Sequence, residues 1–508
     1  MAALRQRNLD GQPAVTEIDP GPATLEELEA RLARDFDLLV MPPAKEWLEP
    51  RDHPKLGPAL DVAVIGAGMS GLAAALALKC LAVRSLQMFD RSPAGFEGPW
   101  ATFARMETLR SPPELSGPAF GLSNLTFRAW FEAQFGADAW KTVHRIPRLQ
   151  WMDYLRWYRR VIDVPIENET ELVDIGGEKH FVILTLRSPS GMRKVAARRV
   201  VLANGRDALG GPYTPEMFRG LDKRYVRHSV EDIDFDALKG KVVGVIGAGA
   251  SAVDNAAEAL EHGAARVAMM IRRAEMPRIN KGMGIGSAGF WVGFHALTDA
   301  QKWQIVNYID EQAVPAPRDS TLRASRHENF SLFSNCAPLG IQIKESRVLL
   351  DTTRGRLAFD FLILATGLTV DWDQRPEFAA LKPHIRLWRD HFMPEGQSEF
   401  AQAGHPYVGP SFEFLERRPG RAPWVRRIHA FNFAAYMNQG PISGDIPAIS
   451  TGAERVATGV AAALFAEDYE RTWRRMIDWS NPELRGDEYT LAEDVSPFLA
   501  TRPVDRKT

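Results

Sequence analysis

Cysteine is almost missing from this chain: among 508 residues only Cys80 and Cys336 carry thiols. Two distant thiols build no disulfide framework, and they form neither a CxxC pair nor a zinc-ligand cluster. Long apolar runs are missing as well. The longest, such as residues 72–78, fall far short of the roughly 18 residues of a spanning helix, and no apolar stretch follows the arginines of the first dozen residues as a secretory signal requires. Nor is there an excess of one charge. Lys plus Arg total 62 against 64 Asp plus Glu, a formal net charge of −2, which argues against binding nucleic acid or an anionic membrane by bulk charge. Low-complexity tracts are absent too. A reducing, aqueous, cytoplasmic setting is the expectation.

Hydrophobic residues make up 45% and charged residues 25%, the balance of a globular protein with a large core. At about 150 residues per domain the length suggests about three domains. The first 60 residues read as an arm and a connector. Thr24 followed by Glu27 fits a capping box, and Leu25, Leu28, Leu32, Phe36 and Leu39 recur at helical spacing. Pro42, Pro43, Pro50, Pro54 and Pro58 then make a stiff connector. Beyond about Phe465 the chain is charged and rich in tryptophan, loosely helical at best.

From Asp61 the pattern becomes an apolar run, a glycine turn and an Ala/Leu-rich helix, DVAVIGAGMSGLAAALALKCLAV, and a second copy begins at Lys241, KVVGVIGAGASAVDNAAEALEHGAARVAMMIRR. Gly66, Gly68 and Gly71 satisfy GxGxxG. They follow a predicted strand at 62–65, open a helix, and are answered by Asp90, with Arg91 beside it, at the end of the next strand. In such a turn the first glycine permits the sharp bend, the second lets a pyrophosphate approach the backbone, and the third lets the helix pack close to its strand. The helix N-terminus offers free N–H groups to the phosphates, and the acid accepts hydrogen bonds from a ribose. Gly247, Gly249 and Ala252 form the GxGxxA variant, and here Arg272 and Arg273 stand where the first copy has its acid. Guanidinium suits a ribose 2′-phosphate, so the second turn reads as an NADPH site, with NADH possible. Two apolar strands that end in glycine, ARRVVLANG at Gly205 and FDFLILATG at Gly367, complete the pattern. One chain with two unlike dinucleotide turns points to a hydride donor and an acceptor cofactor brought face to face.

These marks resemble the two-dinucleotide-domain flavoproteins and, within them, the flavin-containing monooxygenases, over roughly residues 61–464. Gly98-Pro99-Trp100 stands where that family has a turn beside the flavin, Ala365-Thr366-Gly367 matches its second crossing, preceded by Asp360, and 438–461 resembles its closing helix. Segment 107–116 resembles the stretch that sets a polar side chain near the flavin C4a, with Arg110 in the place of the family's Asn. The FxGxxxH fingerprint is altered: Phe218 and Gly220 are present, Arg224 stands where His belongs, and His228 follows four residues later.

The resemblance implies an α/β fold of two Rossmann-like dinucleotide-binding domains, the NAD(P)H domain inserted into the FAD domain, with an N-terminal helical arm. The expected division is arm and connector 1–60, FAD-binding 61–215, NADPH-binding with a helical insertion 216–365, FAD-binding closure 366–465, and tail 466–508. It implies FAD held by Gly66, Gly68, Gly71, Asp90, Arg91, Trp100 and Gly367, and NADPH held by Gly247, Gly249, Ala252, Arg272 and Arg273. It also implies transfer of one atom of O2, through a flavin C4a-hydroperoxide, to a small and polar substrate. Arg110 would hydrogen-bond an oxygen at the flavin or clamp an anionic substrate; the alternative is an arginine paired to Glu107 or Glu114. Trp100, Phe127, Trp130 and Trp291 are expected pocket walls. Arg278, Asn280, Lys281, Asn335, His429, Asn432 and Asn438 are expected to face the flavin, and Asp445 to cap the closing helix. Hydroxylation of urate, Baeyer–Villiger oxygenation, or an NAD(P)H–flavin oxidase or sensor without oxygen transfer are alternatives. A disulfide reductase lacks its cysteine pair.

Overall fold

A computed structural model describes residues 21–397 and 400–499; the first 20 residues of the expected arm and the last nine of the tail lie outside it. The helix predicted in the arm spans Leu25–Leu38. Thr24 caps it by accepting from the Glu27 N–H at 3.2 Å. Leu28 and Leu32 are buried, and Leu39, the last residue of the predicted stripe, is exposed because the helix has ended. Glu29 and Asp35 anchor the polar side of this helix to Trp157 Nε1 and Asn124 Nδ2, so the arm lies on the body.

The chain then enters an eight-stranded sheet. At its centre the strand Gly57–Ile65 runs parallel to Leu86–Phe89 on one side and to Gly191–Leu202 on the other. Central parallel strands are covered on both faces, which is why Val62, Ala63 and Val64 are all fully buried rather than alternating. The far edge is an antiparallel meander, Glu171–Gly177, Val182–Ser188 and Gly191–Leu202.

A second sheet of five strands is parallel throughout, in the order Phe330–Phe333, Arg266–Met270, Val242–Ile246, Phe361–Leu364, Val226–His228. A three-stranded meander, 338–359, lies beside it. The second sheet is an insertion. The chain leaves the first sheet after Leu202 and returns after Leu364, and the outgoing Gly211–Pro212 pairs antiparallel with the returning Leu368–Thr369. Gly205 and Gly367, at φ +84° and +90°, make the two turns into these crossings. After them, Ile428–His429 adds a parallel strand to Gly191–Leu202, and the closing helix Ile449–Glu467 follows. One compact unit ends at Leu464 and another begins at Phe465. The latter contains the amphipathic helix Tyr469–Ile477, more regular than the sequence pattern promised, and irregular chain beyond it.

Candidate active site

The two glycine turns sit at equivalent ends of the two sheets. In the first, the Gly66 N–H donates to Phe89 O and the Ala203 N–H to Ile65 O, both at 2.8 Å; in the second, Gly247 donates to Met270 O and Ala365 to Ile246 O. Each crossing strand thus closes against its glycine turn. A Cβ on Gly66 would lie 2.5 Å from Ala203 O, and one on Gly247 2.3 Å from Ala365 O; both glycines also have positive φ. The middle glycines differ in kind. A Cβ on Gly68 would meet only the Gly98 backbone, at 3.7 Å from its Cα and 3.8 Å from its N, and one on Gly249 would have nothing within 4 Å. Backbone N–H groups at the starts of the helices Met69–Cys80 and Ala250–Glu261 are therefore open to a ligand that needs close approach, as a pyrophosphate does. This is the fit expected of a dinucleotide on each cradle.

Asp90 is buried beside the first cradle. One carboxylate oxygen accepts from the Ala67 N–H at 2.7 Å and the other from the Ser92 N–H at 2.8 Å, leaving each with lone pairs for a ribose. Arg91 points outward and reaches Asp207 at 3.8 Å. Trp100 is half-buried after Gly98, and its carbonyl accepts from Arg148. At the second cradle Arg272 is exposed, with no partner among the described residues, whereas Arg273 donates to Glu311 O at 2.9 Å. His228 and Ser229 belong to this cradle: the Ser251 hydroxyl bonds that of Ser229 at 2.8 Å, and burial pushes the His228 imidazole down to about 4. Arg224, in the fingerprint position, is instead a surface residue bound to Asp222.

Arg110 pairs with neither Glu107 nor Glu114. Its Nη2 donates to Pro315 O at 2.7 Å, so it reaches from the first domain to the inserted one. Burial lowers its pKa first, and nearby Arg206 adds to this, against Asp254 and Asp445. Around it stand side chains from distant parts of the chain. The Arg206 guanidinium lies 5.2 Å from the centroid of the Phe433 ring, and Phe433 stacks on Tyr436 with centroids 5.8 Å apart. Asp445 makes no capping hydrogen bond with its side chain; partial burial raises the pKa of its carboxyl, and Arg206 and Arg110 oppose the rise. The expected side-chain cap is therefore not formed. The helix Asp299–Gln312 of the insertion covers this region: Asp299 accepts from Tyr407, Asp310 from Gln402, and Trp303 packs against Trp388.

Several expected pocket residues are structural. Phe127 and Trp130 are buried in an aromatic core with Trp151 and Tyr154, since their helix packs its apolar face inward. Trp291 is half-buried. Asn432 donates to Leu202 O and Asn438 accepts from Trp388 Nε1, so both amides tie loops together. His429 is buried and bonded to Ser411 O, while Asn280 caps the turn Lys281–Gly284. Arg206 and Tyr436 went unnoticed in the sequence. The only signal was the position of Arg206 next to the Asn204-Gly205 crossing.

The cysteines are free thiols: Cys80 is half-buried at the end of the first cradle helix, and Cys336 is buried in the inserted domain. No group of His, Cys, Asp or Glu among the described residues could hold a metal ion, and no described helix is long and apolar enough to cross a membrane.

The pyridine nucleotide-disulphide oxidoreductase family matches residues 63–284. The FAD-dependent urate hydroxylase of Xanthomonas campestris pv. campestris is 38% identical over 469 residues, which span 91% of this chain and 98% of that protein. Among solved structures, the ornithine hydroxylase of Pseudomonas aeruginosa aligns with a TM-score of 0.63 at 15% identity, covering 80% of this chain and 100% of its own. The L-lysine 6-monooxygenase of Pseudomonas syringae aligns at 0.61 with 19% identity, covering 80% and 99%. These two share the fold.

Proposed function

Because the chain belongs to the flavin-dependent monooxygenase family represented by the FAD-dependent urate hydroxylase, we propose that it hydroxylates urate or a closely similar oxopurine, using FAD, NADPH and O2. The observation that carries this reading is the 38% identity that extends over 98% of that relative. The net reaction consumes substrate, NADPH, a proton and O2 and releases hydroxylated product, NADP+ and water.

Gly66, Gly68, Gly71, Asp90 and Trp100 would hold FAD, with Arg91 on its rim and Gly367 at the returning crossing. Gly247, Gly249, Ala252, Arg272 and Arg273 would hold NADPH, Arg272 taking the 2′-phosphate because its guanidinium has no partner among the described residues. Bound together, the two cofactors supply hydride transfer and the activation of O2. The chain's own part is to position and to exclude water. The helix Asp299–Gln312 of the insertion packs on the returning part of the chain through Tyr407, Gln402 and Trp388. Arg110, fixed by the Pro315 carbonyl, keeps N–H groups free for an anionic oxygen.

The test is to purify the protein with FAD and follow NADPH oxidation, O2 uptake and peroxide release, with and without urate. Urate should speed NADPH oxidation and suppress peroxide. Peroxide equal to NADPH consumed at every urate concentration would overturn the reading. Ornithine and lysine serve as comparison substrates and should leave peroxide release unchanged.

A further inference from the structure

We infer that Arg323 is a positioning residue for hydride transfer: it clamps the helix of the second cradle to the segment that leans on the first, and so fixes the span between the two cofactors. This rests on FAD and NADPH occupying the cradles as read above, and not on which compound is oxygenated.

Segment 98–110 is a brace whose two ends touch different domains. At one end a Cβ on Gly98 would lie 3.9 Å from the Gly68 Cα, so this backbone abuts the first cradle. Along its length the segment is stiffened by its own contacts and by one neighbour. The Thr102 hydroxyl donates to Gly98 O at 2.8 Å, Arg105 Nη1 donates to Thr102 O at 2.7 Å, and Arg148 holds the carbonyls of Trp100 and Met106. At the other end it meets the insertion twice. Arg323 Nη1 donates to Arg105 O at 2.8 Å, and Arg110 Nη2 donates to Pro315 O at 2.7 Å.

Arg323 joins this brace to the second cradle. It lies in the last turn of the helix Arg318–Ser325, which packs on the cradle helix Ala250–Glu261. Its Nε donates to Glu261 Oε1 at 2.7 Å and its Nη2 to Glu258 Oε1 at 2.8 Å, and the side chain is only 8% exposed. One planar guanidinium thus holds two acids of the cradle helix and one carbonyl of the brace, a fork that no other side chain supplies. Glu258 lies about 13 Å along a rigid helix from Gly249, so a grip there sets the tilt of the whole cradle.

The insertion is joined covalently to the first domain only by its two crossings, which run side by side as the antiparallel pair Gly211–Pro212 and Leu368–Thr369. Two adjacent strands leave a domain free to pivot about them. The contacts through segment 98–110 add a second attachment, and a body held by two attachments does not pivot. Hydride transfer depends on that: two electrons and one hydrogen pass together from NADPH, leaving NADP+, to FAD, and a misplacement of about 1 Å costs on the order of 100-fold in rate.

The experiment compares the full-length flavoprotein with its variants Arg323→Gln and Glu258→Gln, each mixed without oxygen with rising NADPH. The limiting rate of flavin bleaching should fall about tenfold or more in Arg323→Gln and about threefold in Glu258→Gln, with the half-saturating NADPH concentration changed less than about twofold. Reduction by dithionite, which needs no cradle geometry, should be unchanged. Amide hydrogen exchange of the flavoprotein without nucleotide gives a readout apart from activity. Segments 98–110 and 250–261 should exchange about fivefold faster in Arg323→Gln while the strand 57–65 keeps its protection. Equal limiting rates, equal exchange, or a loss confined to NADPH affinity overturns the inference, and so does release of FAD from both variants. If Arg323→Gln fails to fold, Glu258→Gln decides alone. A parent whose flavin NADPH does not reduce overturns the cofactor reading, and the inference with it.

Discussion

In the first cradle the third motif residue is Gly71, where a Cβ would lie 1.9 Å from the Gly66 carbonyl oxygen; in the second it is Ala252, whose methyl is fully buried without conflict. The first helix therefore crosses its turn closer than the second, by about the thickness of a methyl group. The difference continues along the helices. Seven residues past the first glycine, the first helix has Ala73 and Ala74 packed in the core, and the second has Asp254 and Asn255, equally buried. The strand ends differ too: Asp90 braces the first turn through Ala67, while Arg272 leaves the second open to a phosphate. One backbone plan thus yields a tightly braced turn and a looser, more polar one.

The sharpest way to break this contrast is Gly71→Ala. A methyl there must displace backbone, which costs about 3 kcal/mol or more locally, and the expected outcome is protein isolated without flavin absorbance. Retention of FAD at the parent stoichiometry would show that the first helix can back away as the second does.

Asp254→Asn tests the polar side of the comparison. Burial raises the Asp254 carboxyl to about 6, with Ser320, Arg323 and Arg110 opposing and Glu258 adding to the rise. In the unfolded chain it titrates near 4. Between those values the native state holds the proton more tightly than the unfolded state, so this group makes stability fall as pH rises from about 4 to about 6 and adds no further slope above. The asparagine variant should lose that slope and gain on the order of 2 kcal/mol at pH 7. Thermal unfolding across pH 4.5–7.5 measures it, and parallel curves for parent and variant would refute it.

Arg272→Ala should raise the KM for NADPH about tenfold and leave that for NADH nearly unchanged. Arg273→Ala should do less, because its guanidinium is already engaged by the Glu311 carbonyl. Steady-state kinetics with both nucleotides decide, and an equal loss for NADPH and NADH in Arg272→Ala would remove the 2′-phosphate role. The smallest effect is expected from Ala252→Gly: about 1 kcal/mol of stability, from helix propensity and a lost methyl, with NADPH binding retained. A shift of the melting temperature without a change in KM would agree.

The geometry of the two glycine turns was legible because the backbone leaves little choice of residue there. Gly66 and Gly247 need positive φ and have no room for a Cβ, so their identity announces the turn. The two-sheet plan was legible for the same reason, from buried parallel strands that read as continuous apolar runs. The residues between the cradles were not. Phe127 and Trp130 looked like pocket walls and are core, since an aromatic reads the same in either place. Asp445 looked like a cap because it precedes a proline-bearing turn, yet its side chain makes no capping hydrogen bond.

What the amino-acid order determined alone was local: where the chain must bend through glycine, which strands are buried on both faces, and which strand end offers an acid or a guanidinium. Only the tertiary structure decided that Arg110 reaches Pro315 and that Arg206 rests on Phe433, which stacks on Tyr436. Those contacts join segments hundreds of residues apart, and their geometry exists only once the returning crossing and the closing helix have packed against the first sheet.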